Sequence, residues 1–178
     1  MLASLTNIFK IGDLRRKILF TLMMLVVFRI GSFVPVPNVN VELFQQNTNH
    51  LLGLLNTFSG GALQNFSIFA MGIMPYITAS IIMQLMSMDV VPKLTQWARE
   101  GEVGRRKIAT VTRYATIILG LIQSVGMTIG FNNMAPGLLK DTSVGSYALI
   151  ALTLTAGTAF MMWMGEQITE KGIGNGIS

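Results

Sequence analysis

Few residues in this chain can do covalent chemistry. His50 is the only histidine among 178 residues, and there is no cysteine. A multi-histidine or thiolate metal cage, a thiol nucleophile and a disulfide framework are therefore excluded. An intramembrane aspartyl protease needs two aspartates inside apolar runs, and these runs have none. A serine protease needs a base, and His50 lies in a connecting segment. No cofactor is implied, and an enzyme is not expected. What remains is a set of polar side chains in apolar surroundings, Thr78, Ser80, Gln84 and Gln123, beside Gly72 and Pro75. Such groups make no bonds of their own. Hydroxyls and amides hydrogen-bond across packed helices, and Gly/Pro interruptions of a short hydrophobic segment point to a transport site.

The elements that hold these groups follow from where charge is missing. Charged residues make up 12% of the chain, about half the ~25% of a soluble domain. They are confined to short stretches, and between them lie four nearly uncharged runs, 18–34, 68–88, 114–134 and 146–164. Each is long enough to cross a hydrocarbon core of about 30 Å. The first follows Arg15, Arg16 and Lys17 and has no small-residue cleavage site before Pro35 and Pro37, so a retained helix is expected rather than a signal peptide. Arg29 precedes Pro35 by six residues, about 9 Å at ~1.5 Å per residue, close enough for its side chain to snorkel to the interface.

Orientation follows from the positive charges, because flanks rich in Lys and Arg stay cytoplasmic. Lys10, Arg15, Arg16 and Lys17 precede the first run. Lys93, Arg99, Arg105, Arg106, Lys107 and Arg113 lie between the second and third, and Lys171 follows the fourth, whereas the other side has only Lys140. Segments 1–17, 89–113 and 165–178 are therefore expected in the cytoplasm, with 35–67 and 135–145 outside. The net charge of +5 is an orientation signal, and no specific nucleic-acid partner is expected.

Segment 35–67 is more than a plain loop. It holds Leu51, Leu52, Leu54 and Leu55, then Phe58 and the pair Gly60 and Gly61, directly before the second run. Composition favours an amphipathic helix resting on the outer leaflet. The alternative is a re-entrant element inside a cavity, since irregular backbone at membrane depth needs burial by protein or water around it. Ile73, Ile77 and Ile81 form one stripe at a spacing of four, which ordinarily faces lipid or another helix. Gly126 and Gly130, and Ala156, Gly157 and Thr158, are read as helix-packing positions. No internal repeat is visible.

Four stretches, FSGGAL at 58–63, MGIMPYITASI at 71–81, EGEVGRRK at 100–107 and GEQITEKGIGNGIS at 165–178, resemble the amino-terminal part of bacterial SecY, the pore subunit of the Sec protein translocase. The resemblance runs from about Leu14 to Ser178. It implies an all-α, polytopic membrane fold of ten transmembrane helices. This chain would supply the first four of these and a short re-entrant outer half-helix. It also implies passage of unfolded polypeptides across the membrane and sideways release of hydrophobic segments.

The roles carried across are those of matching positions. The family's plug, a half-helix that closes the pore from outside, matches Phe58, Ser59, Gly60, Gly61, Ala62, Leu63, Gln64, Asn65 and Phe66. Its apolar pore ring matches Ile73 and Ile77, and bulky aliphatic groups there dewet a closed pore while gripping an extended chain. The polar positions of its lateral gate match Thr78 and Gln123. The implied partners are SecE-like and SecG-like small membrane subunits, signal sequences and translocating polypeptides. A SecA motor or ribosome would dock mainly through later parts of such a protein. The basic segment 93–107 is left with orientation and lipid contact. A secondary solute transporter is the alternative, since it too has broken helices. Ion-coupled carriers, however, place ionisable groups within the membrane, and here Arg29 is the only charge inside a run.

Overall fold

The computed structural model describes residues 12–43, 61–63, 65–134 and 136–177. Among the described residues five full helices follow one another: α1 Gly12–Gly31, α2 Met74–Ser87, α3 Pro92–Arg99, α4 Glu102–Met134 and α5 Val144–Lys171. Among the described residues there is no sheet, only two isolated antiparallel bridges. The fold is all-α, as expected. α4 is the hub, packing against α5, α2 and α3, while among these five helices α1 packs closely on α5 alone.

Helices occupy all four apolar runs, but their bounds differ from the expected ones. The second begins at Met74 and not at 68, because Gly72 takes a left-handed φ of 57° and Pro75 sits in the first turn. Both residues favour a helix start there. Its 14 residues reach about 21 Å, short of a hydrocarbon core. The basic segment 89–113, expected to be a loop, is mostly helical. α3 starts on Pro92 and bends by 93° from α2. Gly101, at φ 71°, then turns the chain into α4, whose first twelve residues belong to this segment. The turn is tight: a Cβ on Gly104 would collide with the Trp97 carbonyl. α4 and α5 are long and apolar enough to cross a membrane, and α2 with α3 makes a third span if the bent pair counts as one. α1 has 20 residues but carries Asp13, Arg15, Arg16, Lys17 and Arg29.

The burial pattern along α4 is the reverse of a soluble helix. Gly104, Thr112, Thr116, Gly120, Ser124 and Thr128 face inward at multiples of four, while Ile118, Ile122, Val125 and Ile129 are exposed. Small residues let backbones approach, and lipid is as good a solvent as a core for isoleucine. The buried hydroxyls are satisfied within their own helix: Thr116 Oγ1 donates to the Thr112 carbonyl at 2.8 Å and Thr128 Oγ1 to the Ser124 carbonyl at 2.7 Å. Gly126 and Gly130, expected to pack helices, have nothing within 4 Å of where a Cβ would stand. The same four-residue spacing occurs on two faces of α4, and the face of Gly120, where Thr155 of α5 lies opposite, is the one used.

Large apolar side chains are buried instead in a cap, at the end where α1 and α4 finish and α2 and α5 begin. Residues 34–40 run between two neighbours there. Val36 N donates to Phe66 O and Ile68 N to Val34 O, both at 3.0 Å; farther along, Asn40 N donates to Leu138 O at 2.7 Å. Around this backbone ladder Val36, Val39, Leu63, Phe66, Leu138, Leu139, Ile150 and Leu154 form one core. Beside the cap, the Asp141 carboxylate accepts from the Ser143 hydroxyl at 2.7 Å and from the Ser143 N–H at 3.0 Å. These bonds hold it below the usual carboxylate range. Ser143 in turn caps α5 by accepting from Ser146 N.

Candidate functional site

The start of α2 meets the returning segment 61–73, and most of the sequence-expected site residues gather there. Ile73 is the N-cap of α2 and offers no side-chain bond. Its carbonyl instead accepts from Tyr76 N at 3.0 Å and Ile77 N at 3.1 Å. Ile73 and Ile77 therefore stand one turn apart. The helix has two faces. Pro75, Ala79 and Met83 are buried, whereas Met74, Ile77, Ile81 and Leu85 are exposed and Ile73 is half-buried. The isoleucine stripe thus lines an uncovered apolar face.

Thr78 and Gln123 are both half-buried, but the structure does not bring them into a bond. Thr78 Oγ1 donates to its own helix, at the Met74 carbonyl, 3.0 Å away. Among the described residues no hydrogen bond joins it to Gln123. Ser80 and Gln84 belong to a groove of about 460 Å³, also lined by Tyr76, Ser87, Arg105 and Thr112. That groove lies where α2, α3 and α4 meet.

Of the residues expected to form a plug, Phe58, Ser59, Gly60 and Gln64 lie outside the described residues. The other five form turns and not a helix. Phe66 N donates to Leu63 O at 3.0 Å, and Ser67 N to Ala62 O at 2.9 Å. Gly61 has φ 87°, which glycine tolerates without strain. Phe66 has φ 41°, costly for a bulky residue; it is fully buried and lies edge-on to Phe131 with ring centroids 5.9 Å apart. Ala62 and Leu63 are buried as well. These three side chains are core, and any displacement of 61–66 must strip them from it. Asn65 Nδ2 reaches back to the Ser32 carbonyl at 3.4 Å.

The residue that sequence reasoning missed is Phe69. Its ring occupies the space that a Cβ on Gly31 would need, while a Cβ on Gly157 would strike the adjacent Ile68 carbonyl. The ring stacks on Phe28 at 5.9 Å and on Phe160 at 6.0 Å, so one side chain ties α1 to α5. The two glycines are 126 positions apart in the chain, and no local pattern pairs them. Arg113 of α4 and Glu166 of α5, 2.8 Å apart, were equally invisible. The four-residue row of α4, by contrast, was there to be read. Among the described residues no group of three metal-ligating side chains comes together.

Comparison with known proteins places this arrangement. The sequence model of the SecY family matches residues 67–178. Along its whole length the chain is 66% identical to the protein translocase subunit SecY of Halalkalibacterium halodurans and 62% identical to that of Bacillus subtilis, in each case covering 42% of the relative. It thus spans about two fifths of the length of these relatives. Two solved structures share the fold: Sec61 in the canine ribosome-channel complex from the endoplasmic reticulum, and a protein-conducting channel. Each has a TM-score of 0.62 and 19% identity, and each is matched over 92% of this chain and 34% of the other. The family's sequence model matches well over half of the chain, and the curated relatives are 62% and 66% identical along all of it, so the chain belongs to the SecY family.

Proposed function

We propose that this chain is the first part of the central subunit of a protein-conducting channel, which passes unfolded polypeptides across the plasma membrane and releases hydrophobic segments sideways into the bilayer. The observation that carries the reading is α2. It is a helix too short to span, it begins behind a buried returning segment, and its isoleucine face is uncovered, in a chain that aligns from end to end with SecY relatives. Ile73 and Ile77 form part of the apolar pore ring. Segment 58–66 is the plug, and Thr78 and Gln123 stand at the lateral gate. Runs 18–34, 68–88, 114–134 and 146–164 cross the membrane, with α3 and both ends of the chain in the cytoplasm, as the eleven-to-one bias of Lys and Arg supports. SecE-like and SecG-like subunits, signal sequences and lipids are the partners of this part. A SecA motor or a ribosome docks mainly elsewhere, and no catalysis is assigned to it.

The experiment is a chimera in which this chain replaces the matching two fifths of the Bacillus subtilis relative in cells depleted of their own SecY. Growth and export of a secretory precursor are expected. A chimera that reaches the membrane at normal levels with its small partner subunits, yet exports nothing, refutes the assignment.

A further inference from the structure

Residues 172–177 follow α5 and are tied to two helices. Ile173 N donates to Thr21 Oγ1 of α1 at 3.1 Å, and Gly176 N donates to Thr169 Oγ1 of α5 at 2.9 Å. The Thr169 hydroxyl in turn donates to the Gly165 carbonyl at 2.9 Å, so its proton is committed there and a lone pair serves Gly176. Residue 176 must be glycine, because a Cβ there would collide with the Gly165 carbonyl. Before it stands Asn175, the one asparagine of the sequence that a glycine follows. Asn175 is exposed, and its Oδ1 accepts from Ile177 N at 3.1 Å, which folds the carboxamide over the Gly176 peptide unit.

The packing that requires glycine thereby creates a chemical weak point. An asparagine followed by glycine can close on itself, because glycine has no side chain to hinder the ring. The backbone nitrogen gives up its proton to hydroxide and attacks the asparagine Cγ; the bond from Cγ to the side-chain nitrogen breaks, and ammonia leaves with a proton taken from water. Water then opens the cyclic imide at either carbonyl, giving aspartate or isoaspartate. We infer that Asn175 is a site of this deamidation, and that Thr169 is the positioning residue that holds the reaction back. The attacking atom is Gly176 N, and in the fold its N–H is engaged by Thr169. A hydrogen bond made by the neutral amide disfavours its ionised form, and the nitrogen cannot turn toward Cγ without leaving the hydroxyl. The reaction therefore waits for local opening of 172–177. The product carries a new carboxylate and, in isoaspartate, an extra backbone carbon, next to a contact between Gly176 and Gly165 that has no room to spare.

The inference is independent of the plug and pore assignments. The complete channel is purified with its partner subunits and aged at mildly alkaline pH. Cleavage after Lys171 frees the peptide that begins at Gly172; tandem mass spectrometry locates the amide-to-acid mass shift at Asn175, and chromatography separates the isoaspartate form. In denaturant Asn175 is expected to convert about tenfold faster than in the folded channel, or more. Thr169→Val keeps the side chain's shape without the hydroxyl and should raise the folded rate about threefold, a low figure for one hydrogen bond because Thr169 is exposed and water competes. Thr169→Ser should match wild type. Thr21→Val releases Ile173 instead and should also stay near wild type, and Asn175→Gln should abolish the signal. Equal rates in the folded and denatured chain overturn the inference. So does Thr169→Val ageing like wild type, or Thr21→Val ageing as fast as Thr169→Val, which makes general loosening of the segment the cause. Should Thr169→Val not assemble, Thr169→Ala decides: faster conversion supports the inference, and the wild-type rate overturns it.

Discussion

In the cap, Val36, Leu63, Phe66, Leu138, Ile150 and Leu154 are inside; along α4 the inside row is Gly104, Thr112, Thr116, Gly120, Ser124 and Thr128, and the isoleucines point out. The same chain thus uses two packing rules within one bundle. The cap resembles the core of a soluble protein, where removal of large apolar groups from water supplies the drive. The helices cannot use that drive toward one another, because hydrocarbon solvates leucine and isoleucine as well as protein does, so they rely on close approach through small residues. This contrast supports the proposed topology, in which the cap lies at a water-facing end and the inverted row of α4 at membrane depth. Phe69, wedged between Gly31 of α1 and Gly157 of α5, joins the two regimes.

The junction should be the most sensitive point. Gly157→Leu forces a side chain into the Ile68 carbonyl, a collision that backbone cannot relieve cheaply. It should cost about 3 kcal/mol or more, seen as loss of assembled complex or a sharply lower Tm in detergent. Gly126→Leu is the matched control, with nothing within 4 Å of its Cβ position, and should stay within about 1 kcal/mol of wild type, because it also gains helix propensity. Equal damage from both would show that the Gly126 face is packed in the complete channel and that α4 uses two rows.

A second pair sharpens the contrast between regimes. Phe66→Ala removes a fully buried ring from the cap and should cost about 3 kcal/mol, reduced by whatever relief the smaller side chain gives at φ 41°. Ile118→Ala removes a similar amount of apolar surface from the outer face of α4, where exposure is 60%, and should change Tm by the equivalent of about 0.5 kcal/mol or less. Chemical denaturation of the complex in lipid nanodiscs measures both. Comparable losses would mean that the outer face of α4 is covered and the two rules are one.

How much of this was legible in the sequence differs between the same two regions. The helices could be read because charge is absent over long runs, and absence of charge is a local property. Even so, the basic segment 89–113 looked like a loop, since exposed charged helices such as α3 have no long apolar run to betray them. Which of two four-residue rows on α4 faces inward was undetermined, because that depends on α5. The cap was illegible for a deeper reason. Its ladder joins residues 34–40 to 66–68 and to 138–140, and the Phe69 ring at its junction with the helices owes its place to two glycines from distant helices. Residues 61–63 and 65–66 lie just before α2, as the sequence order requires, but the burial of Ala62, Leu63 and Phe66 comes from partners that no spacing rule connects.

The open face of α2 tests where the comparison ends, and here the effect on stability should be smallest. Ile77 is 36% exposed and Ile73 half-buried, so their replacement leaves both the cap core and the inward row of α4 intact. Glycine at both positions removes bulk and weakens the first turn by about 1 kcal/mol per residue at most; aspartate at both adds charge. If the face looks into lipid, each carboxylate costs about 2.5 to 3.5 kcal/mol on insertion, and the complex should assemble poorly while conducting no more than before. If it lines a pore, the charges wet a constriction that isoleucine keeps dry, and cation conductance rises with assembly unchanged. Single-channel recording of the reconstituted complex, paired with co-purification of the small subunits, separates these outcomes. The expected result is the second: leak raised moderately by the double glycine variant and strongly by the double aspartate variant, at normal assembly. Assembled variants that conduct like wild type would assign α2 to the lipid-facing regime and remove Ile73 and Ile77 from the pore.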